Sequence, residues 1–109
     1  MNRSGKVYCR GVLAGRIQQM PDGYRFTYDP QYLASAATKP ISLVLPKQRE
    51  PMLSKVLFSF FYGLLAEGIL KETQCRKLKL DENDHFGRLL KTANSDTIGD
   101  ITVVEEPEA

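Results

Sequence analysis

Phe60-Phe61-Tyr62-Gly63-Leu64-Leu65-Ala66-Glu67-Gly68 lies within the chain's longest hydrophobic pattern and is its most informative stretch. From Leu53 onward, apolar residues fall at 53, 56, 57, 60, 61, 64 and 65, the spacing of one helical face. A second set, Phe58, Tyr62, Leu65 and Ile69, follows the same period about a quarter-turn round, with Ser59, Gly63 and Ala66 between the two. The pattern predicts a helix over 52–66 ending near Gly68, read as the glycine that follows a helix end. A helix this apolar around its circumference must be sandwiched between elements or cover a partner. The surplus of apolar surface points to a binding protein.

Upstream the pattern changes to period two. Residues 6–13 read as a strand, Ala14-Gly15 as a turn, and residues 16–20 as a second strand. Pro21-Asp22-Gly23 is a hairpin signal, because Asp-Gly tolerates positive φ. Residues 24–28 return as a third strand with Tyr24, Phe26 and Tyr28 on one face. Asp29-Pro30 breaks the ladder before a short helical turn at 30–37, and Ile41 to Leu45 reads as a short β run closed by Pro46. Downstream, residues 69–79 read as a basic amphipathic helix. Asp81 or Asn83 caps a third helix over 84–92 that buries Phe86, Leu89 and Leu90. A polar loop at 94–99 leads to a closing strand at 101–104, and 105–109 is expected to fray as an acidic tail. The expected fold class is α+β: a single domain over 1–109 with a small, mostly antiparallel sheet or half-barrel and about three helices inserted before the last strand.

Composition agrees with one ordinary globule. At 109 residues, with 42% hydrophobic and 26% charged residues, the chain can bury roughly 65% of its unfolded surface without staples. Residues 1–11 lack the apolar core of a signal peptide, and no apolar run is long enough to span a bilayer. Cys9 and Cys75 lack CxxC spacing, which favours two semi-buried thiols in a reduced, cytoplasmic setting over a disulfide scaffold. The net charge of +2 is uneven: residues 1–55 hold nine Lys and Arg against three acids, and residues 56–109 hold six against ten. Such asymmetry marks either a steering or nucleic-acid face, or solvated strands and an acidic end. The cations are not interleaved with aromatics as single-strand binders require.

No catalytic or cofactor set assembles from the sequence. His85 is the only histidine, so neither a histidine-based zinc site nor a Cys/His/Asp triad can form with ordinary spacing. Asp81-Glu82-Asn83-Asp84 lacks the sixth-position glycine and twelfth-position glutamate of a calcium loop and reads as a helix cap. Gly11-Val12-Leu13-Ala14-Gly15 is too short for a phosphate loop, and no kinase lysine, catalytic Asp-Asn pair or metal-binding Asp-Phe-Gly is present. No cofactor or metal is expected.

The order of motifs carries a resemblance. A Val-Tyr strand with Gly11 and Gly15 is followed by Phe26-x-Tyr28-Asp29, Tyr32-Leu33 and Ile41-Ser42-Leu43-x-Leu45-Pro46. Then come Phe60-Phe61-x-x-Leu64-Leu65-x-Glu67-Gly68, Asp84-x-Phe86-x-x-Leu89-Leu90 and Gly99-Asp100-Ile101. From about Lys6 to Val104 this set resembles the N-terminal subdomain of HipA-type serine/threonine kinase toxins. Ala66 departs from it, standing where that family usually has proline. A stand-alone version of this subdomain is similar to HipS, the small component of HipB–HipS–HipT systems. The resemblance implies an antitoxin that neutralises a HipT-like kinase, with a HipB-like helix-turn-helix protein carrying operator binding and DNA contacted only through the complex. On that reading the second stripe and the turn after it form the partner surface: Phe58, Tyr62, Leu65, Glu67 and Gly68, with Ile69 and Leu70 as apolar anchors and Arg76 and Lys77 meeting acidic groups. The alternative function class is a small nucleic-acid-binding module using the basic N-terminal β half.

Overall fold

A computed structural model describes residues 3–93 and 101–106. The chain begins as a three-stranded meander: β1 (Ser4–Cys9), β2 (Val12–Met20) and β3 (Gly23–Tyr28). The first turn is not at Ala14-Gly15, as expected, but at Arg10-Gly11. Arg10 and Gly11 have φ of 52° and 80°, and Cys9 pairs with Val12 across them. A two-residue loop with both central φ positive matches the right-handed twist of the strands. Val12 to Gly15 therefore continues β2, and a register shift between Val7 and Tyr8 absorbs one residue. The second hairpin falls at Pro21-Asp22, with Met20 opposite Gly23.

After α1 (Pro30–Ala34), capped by the Asp29 side chain, the segment expected as a β run at 41–45 is a turn with a single Ser42–Leu45 bridge. Its backbone is held from outside. The Tyr28 hydroxyl accepts from the Ile41 amide at 3.1 Å and donates to the Leu45 carbonyl. Lys47 Nζ donates to the Ser35 and Thr38 carbonyls and to Thr38 Oγ1.

The helix expected over 52–66 does not form. Met52–Ser54 is strand β4, antiparallel to β3 with Phe26 opposite Met52, and only Ser59–Tyr62 is helical (α2). Leu53 and Val56, on the expected buried stripe, are 74% and 71% exposed. Of that spacing only Leu57, Phe61 and Leu65 are buried. The outward Leu53 of the strand and Val56 of the loop after it extend the same i, i+3, i+4 count by coincidence, so a short strand and one helical turn read as one helix.

Helix α3 (Gly68–Leu78) is polar nearly all round and buries only Cys75, so the amphipathic face expected there is missing. Helix α4 (His85–Thr92) buries Phe86 through Leu90. Its cap is Asp84 rather than Asp81 or Asn83: the Asp84 carboxylate accepts from the Gly87 amide at 3.1 Å and takes a two-pronged bond from Arg3, both prongs 2.8 Å. That pairing holds the Asp84 carboxyl below its ordinary value, through the Arg3 hydrogen bond first, against an opposing burial effect.

Strand β5 (Ile101–Glu105) pairs antiparallel with β1 and completes an open five-stranded sheet of order β4-β3-β2-β1-β5. Among the described residues three helices lie between β4 and β5, in line with the expected number, and the sheet is open rather than closed into a barrel. Glu105 ends β5 and pairs with Lys91, while Glu106 pairs with Arg16 at 2.8 Å, so the expected fraying does not begin at 105. The loop expected at 94–99 and the last three residues lie outside the described residues. One core joins sheet and helices, centred on Val7, Ile17, Phe26, Phe61, Leu89 and Val103. Among the described residues no helix is long and apolar enough to cross a membrane.

Candidate partner-binding surface

The segment from Leu57 to Leu70 is a connector anchored at three points. Leu57, Phe61 and Leu65 are buried at intervals of four, and the Phe61 ring packs against Phe26 at 5.7 Å and Phe60 at 5.2 Å. Between these anchors the backbone turns tightly. The Gly63 amide bonds the Ser59 carbonyl at 2.9 Å, Leu64 bonds Phe61 at 3.0 Å and Leu65 bonds Tyr62 at 3.1 Å. Exposure of the residues between the anchors is therefore geometric: a turn pinned at every fourth side chain must turn the others outward.

The expected partner residues divide on this basis. Leu65 belongs to the core, at 8% exposure, and Phe58 is half-buried with its ring edge-on to Phe61 at 6.3 Å. Tyr62, Ile69 and Leu70 are 44%, 81% and 58% exposed, and Glu67, Gly68, Arg76 and Lys77 are exposed with them. Gly68 does not follow a helix end but opens α3. Its φ of +63° lies in the left-handed region, and a Cβ built there touches nothing within 4 Å. Glycine is needed at this point for conformation and not for space. At the far end of α3, Lys79 takes the left-handed position, φ 56°, that closes the helix.

Sequence reasoning missed Arg88. It is 3% exposed, and its Nη2 donates to the Ala66 carbonyl at 2.5 Å, directly before the Glu67-Gly68 turn. Its Nη1 lies 3.5 Å from His85 Nδ1, and the His85 ring meets the Tyr62 ring edge-on with centroids 5.0 Å apart. Helix α4 thus holds the turn by a charged hydrogen bond at one point and a ring contact at another. A lone arginine within an apolar helical pattern was the available signal, since such a residue must reach a carbonyl or a carboxylate when buried.

Phe60 and Leu64, also expected inward, are half-buried because they line one side of a cleft of about 810 Å³ whose other walls are Cys9, Val12, Tyr32 and the 37–41 segment. In this cleft burial, with help from the Cys9 thiol, pushes the Tyr32 phenol up to about 12. Its hydroxyl donates to the Lys39 carbonyl at 2.5 Å. Among the described residues no group of three or more His, Cys, Asp and Glu side chains is placed to hold a metal ion.

Comparison with known proteins agrees with this architecture along nearly the whole chain. An uncharacterised protein of Haemophilus influenzae is 33% identical over 106 residues, which cover 97% of this chain and 95% of the relative. A solved structure, the N-terminal domain of HipA toxin, superposes with a TM-score of 0.72 at 31% identity, covering 98% of this chain and 95% of that one. The family described as HipA N-terminal domain matches residues 5–104, and the chain belongs to that family.

Proposed function

We propose that this protein is a HipS-like antitoxin that binds a HipT-like serine/threonine kinase toxin and neutralises it within a HipB–HipS–HipT complex in the cytoplasm. The observation that carries the reading is the exposed apolar cluster of Tyr62, Ile69 and Leu70 around the Glu67-Gly68 turn, which the core does not use. Exposed apolar side chains beside a turn that the core does not cover are the kind of group that anchors an interface. Membership of the HipA N-terminal domain family supports a role beside a toxin kinase. The chain itself supplies none of the lysine, metal ligands or base that phosphoryl transfer needs, so on this reading it transfers no phosphate. A HipB-like protein contributes DNA binding.

The test adds purified chain to a kinase of the HipA type that lacks this domain, with labelled ATP and magnesium. Substrate phosphorylation is expected to fall as chain is added, reaching its floor at a fixed molar ratio. Undiminished kinase activity at saturating chain would sink the proposal.

A further inference from the structure

The sheet has two faces, and the helices occupy one. Val7, Ile17, Phe26 and Val103 point into the core, so the alternate residues of the same strands point the other way. On that outer face Lys6 and Arg16 lie directly opposite each other across β1 and β2, and both are exposed. Arg25 lies one diagonal step away, opposite Gln18. Val104, opposite Lys6, and Leu53, opposite Arg25, flank the cations at 41% and 74% exposure.

Like charges directly opposed across a ladder are destabilising. Cations guard sheets against edge-to-edge pairing when they sit on edge strands. Here β1 and β2 are interior strands, so edge protection does not account for the pair. The chain partly compensates: the Glu106 carboxylate accepts from Arg16 Nε at 2.8 Å. Arg25 bonds only the Gln18 amide oxygen, at 3.1 Å, and Lys6 has no carboxylate partner among the described residues.

We propose that this uncovered face docks an acidic segment of a protein partner, its carboxylates meeting Lys6 and Arg25 and its apolar side chains resting on Val104 and Leu53. The carboxylate on Arg16 shows the chemistry that the face already accepts. A nucleic-acid strand fits less well, because among the described residues Tyr8 is the only aromatic on the face and base stacking needs a series of them. This surface shares no residue with the Tyr62–Leu70 cluster, so it stands or falls independently of the kinase reading.

The test uses a labelled synthetic peptide of alternating glutamate and valine, followed by fluorescence anisotropy at about 50 mM salt, where surface charges are weakly screened. Lys6→Gln with Arg25→Gln, which keep long side chains and should fold, is expected to weaken binding about tenfold. Lys39→Gln with Lys79→Gln, equal in charge change, is expected to leave it unaltered. Equal losses in the two double variants, no binding by the parent, or tighter binding of a single-stranded oligonucleotide than of the peptide would each overturn the proposal. Lys6→Thr supplies a second readout. Relief of the opposed charges is expected to raise its melting temperature, and a fall would remove the premise.

Discussion

At the residue scale, the Arg3–Asp84 clamp ties the start of the chain to the head of α4, eighty-one positions later in sequence. Asp84 is both helix cap and ion-pair partner, and the two roles separate by pH. Its carboxyl titrates below the ordinary value because the Arg3 hydrogen bond favours the charged form. A group whose folded-state pKa is depressed contributes stability above its unfolded value, and that contribution is lost as pH falls through the folded value. The melting temperature is therefore expected to drop below about pH 4, near the ordinary aspartate value. Asp84→Asn retains a capping acceptor but not the charge. It is expected to melt lower at neutral pH and to show a flatter acid limb, and parallel curves for the two proteins would show that the clamp does not matter.

At the element scale, the connector through α2 into α3 is where structure and proposed function meet. Tyr62→Ala and Ile69→Asp are expected to keep a near-native melt, since neither side chain is in the core, while weakening kinase neutralisation. Truncating an apolar anchor commonly costs about 2 kcal/mol or more of binding. If both variants unfold, or both neutralise at full strength, the surface lies elsewhere. Gly68→Ala tests the turn itself: forcing an L-residue to a φ of +63° is expected to cost about 1 kcal/mol of stability although the space is open. This is also where the sequence was hardest to read. Strand β3, α4 and β5 were legible because each follows one period, whereas β1 and β2 read as strands with the wrong division between them, since the register shift interrupts their alternation of buried and exposed side chains. The Arg10-Gly11 turn was not legible, because it lacks the Asn-Gly or Asp-Gly signature and the apolar alternation runs on through it. Residues 52–66 misled because β4 is only three residues long and its inward Met52 is out of step with the later pattern. Among the proposed partner residues, Tyr62, Ile69 and Leu70 could be read as surplus to the core. Leu65 could not be separated from them, because a helical count puts it on both stripes, and Arg88 was hidden because its partner is a backbone carbonyl.

At the scale of the whole molecule, stability is unevenly spread. Strand β1 lies between β2 and β5, and the Val103 amide bonds the Ala93 carbonyl at 2.7 Å, so sheet, α4 and closing strand hold one another. Helix α3 hangs from that unit by one buried residue, Cys75, where α4 buries five in succession. Elements with few buried apolar contacts open at lower free energy than the fold as a whole. Amides of α3 are therefore expected to exchange with solvent well before those of β1, β2 and α4. The Cys75 thiol reports the same opening: in a Cys9→Ser background it should react with an alkylating reagent at the rate at which α3 opens, far faster than global unfolding. If Ile69, Leu70, Arg76 and Lys77 meet the kinase, adding the kinase should slow both exchange in α3 and labelling of Cys75 while leaving β1 unchanged. Labelling of Cys75 only at the global unfolding rate would show that α3 is part of the cooperative core, and undiminished labelling in the presence of kinase would show that its exposed side is not the face the kinase covers.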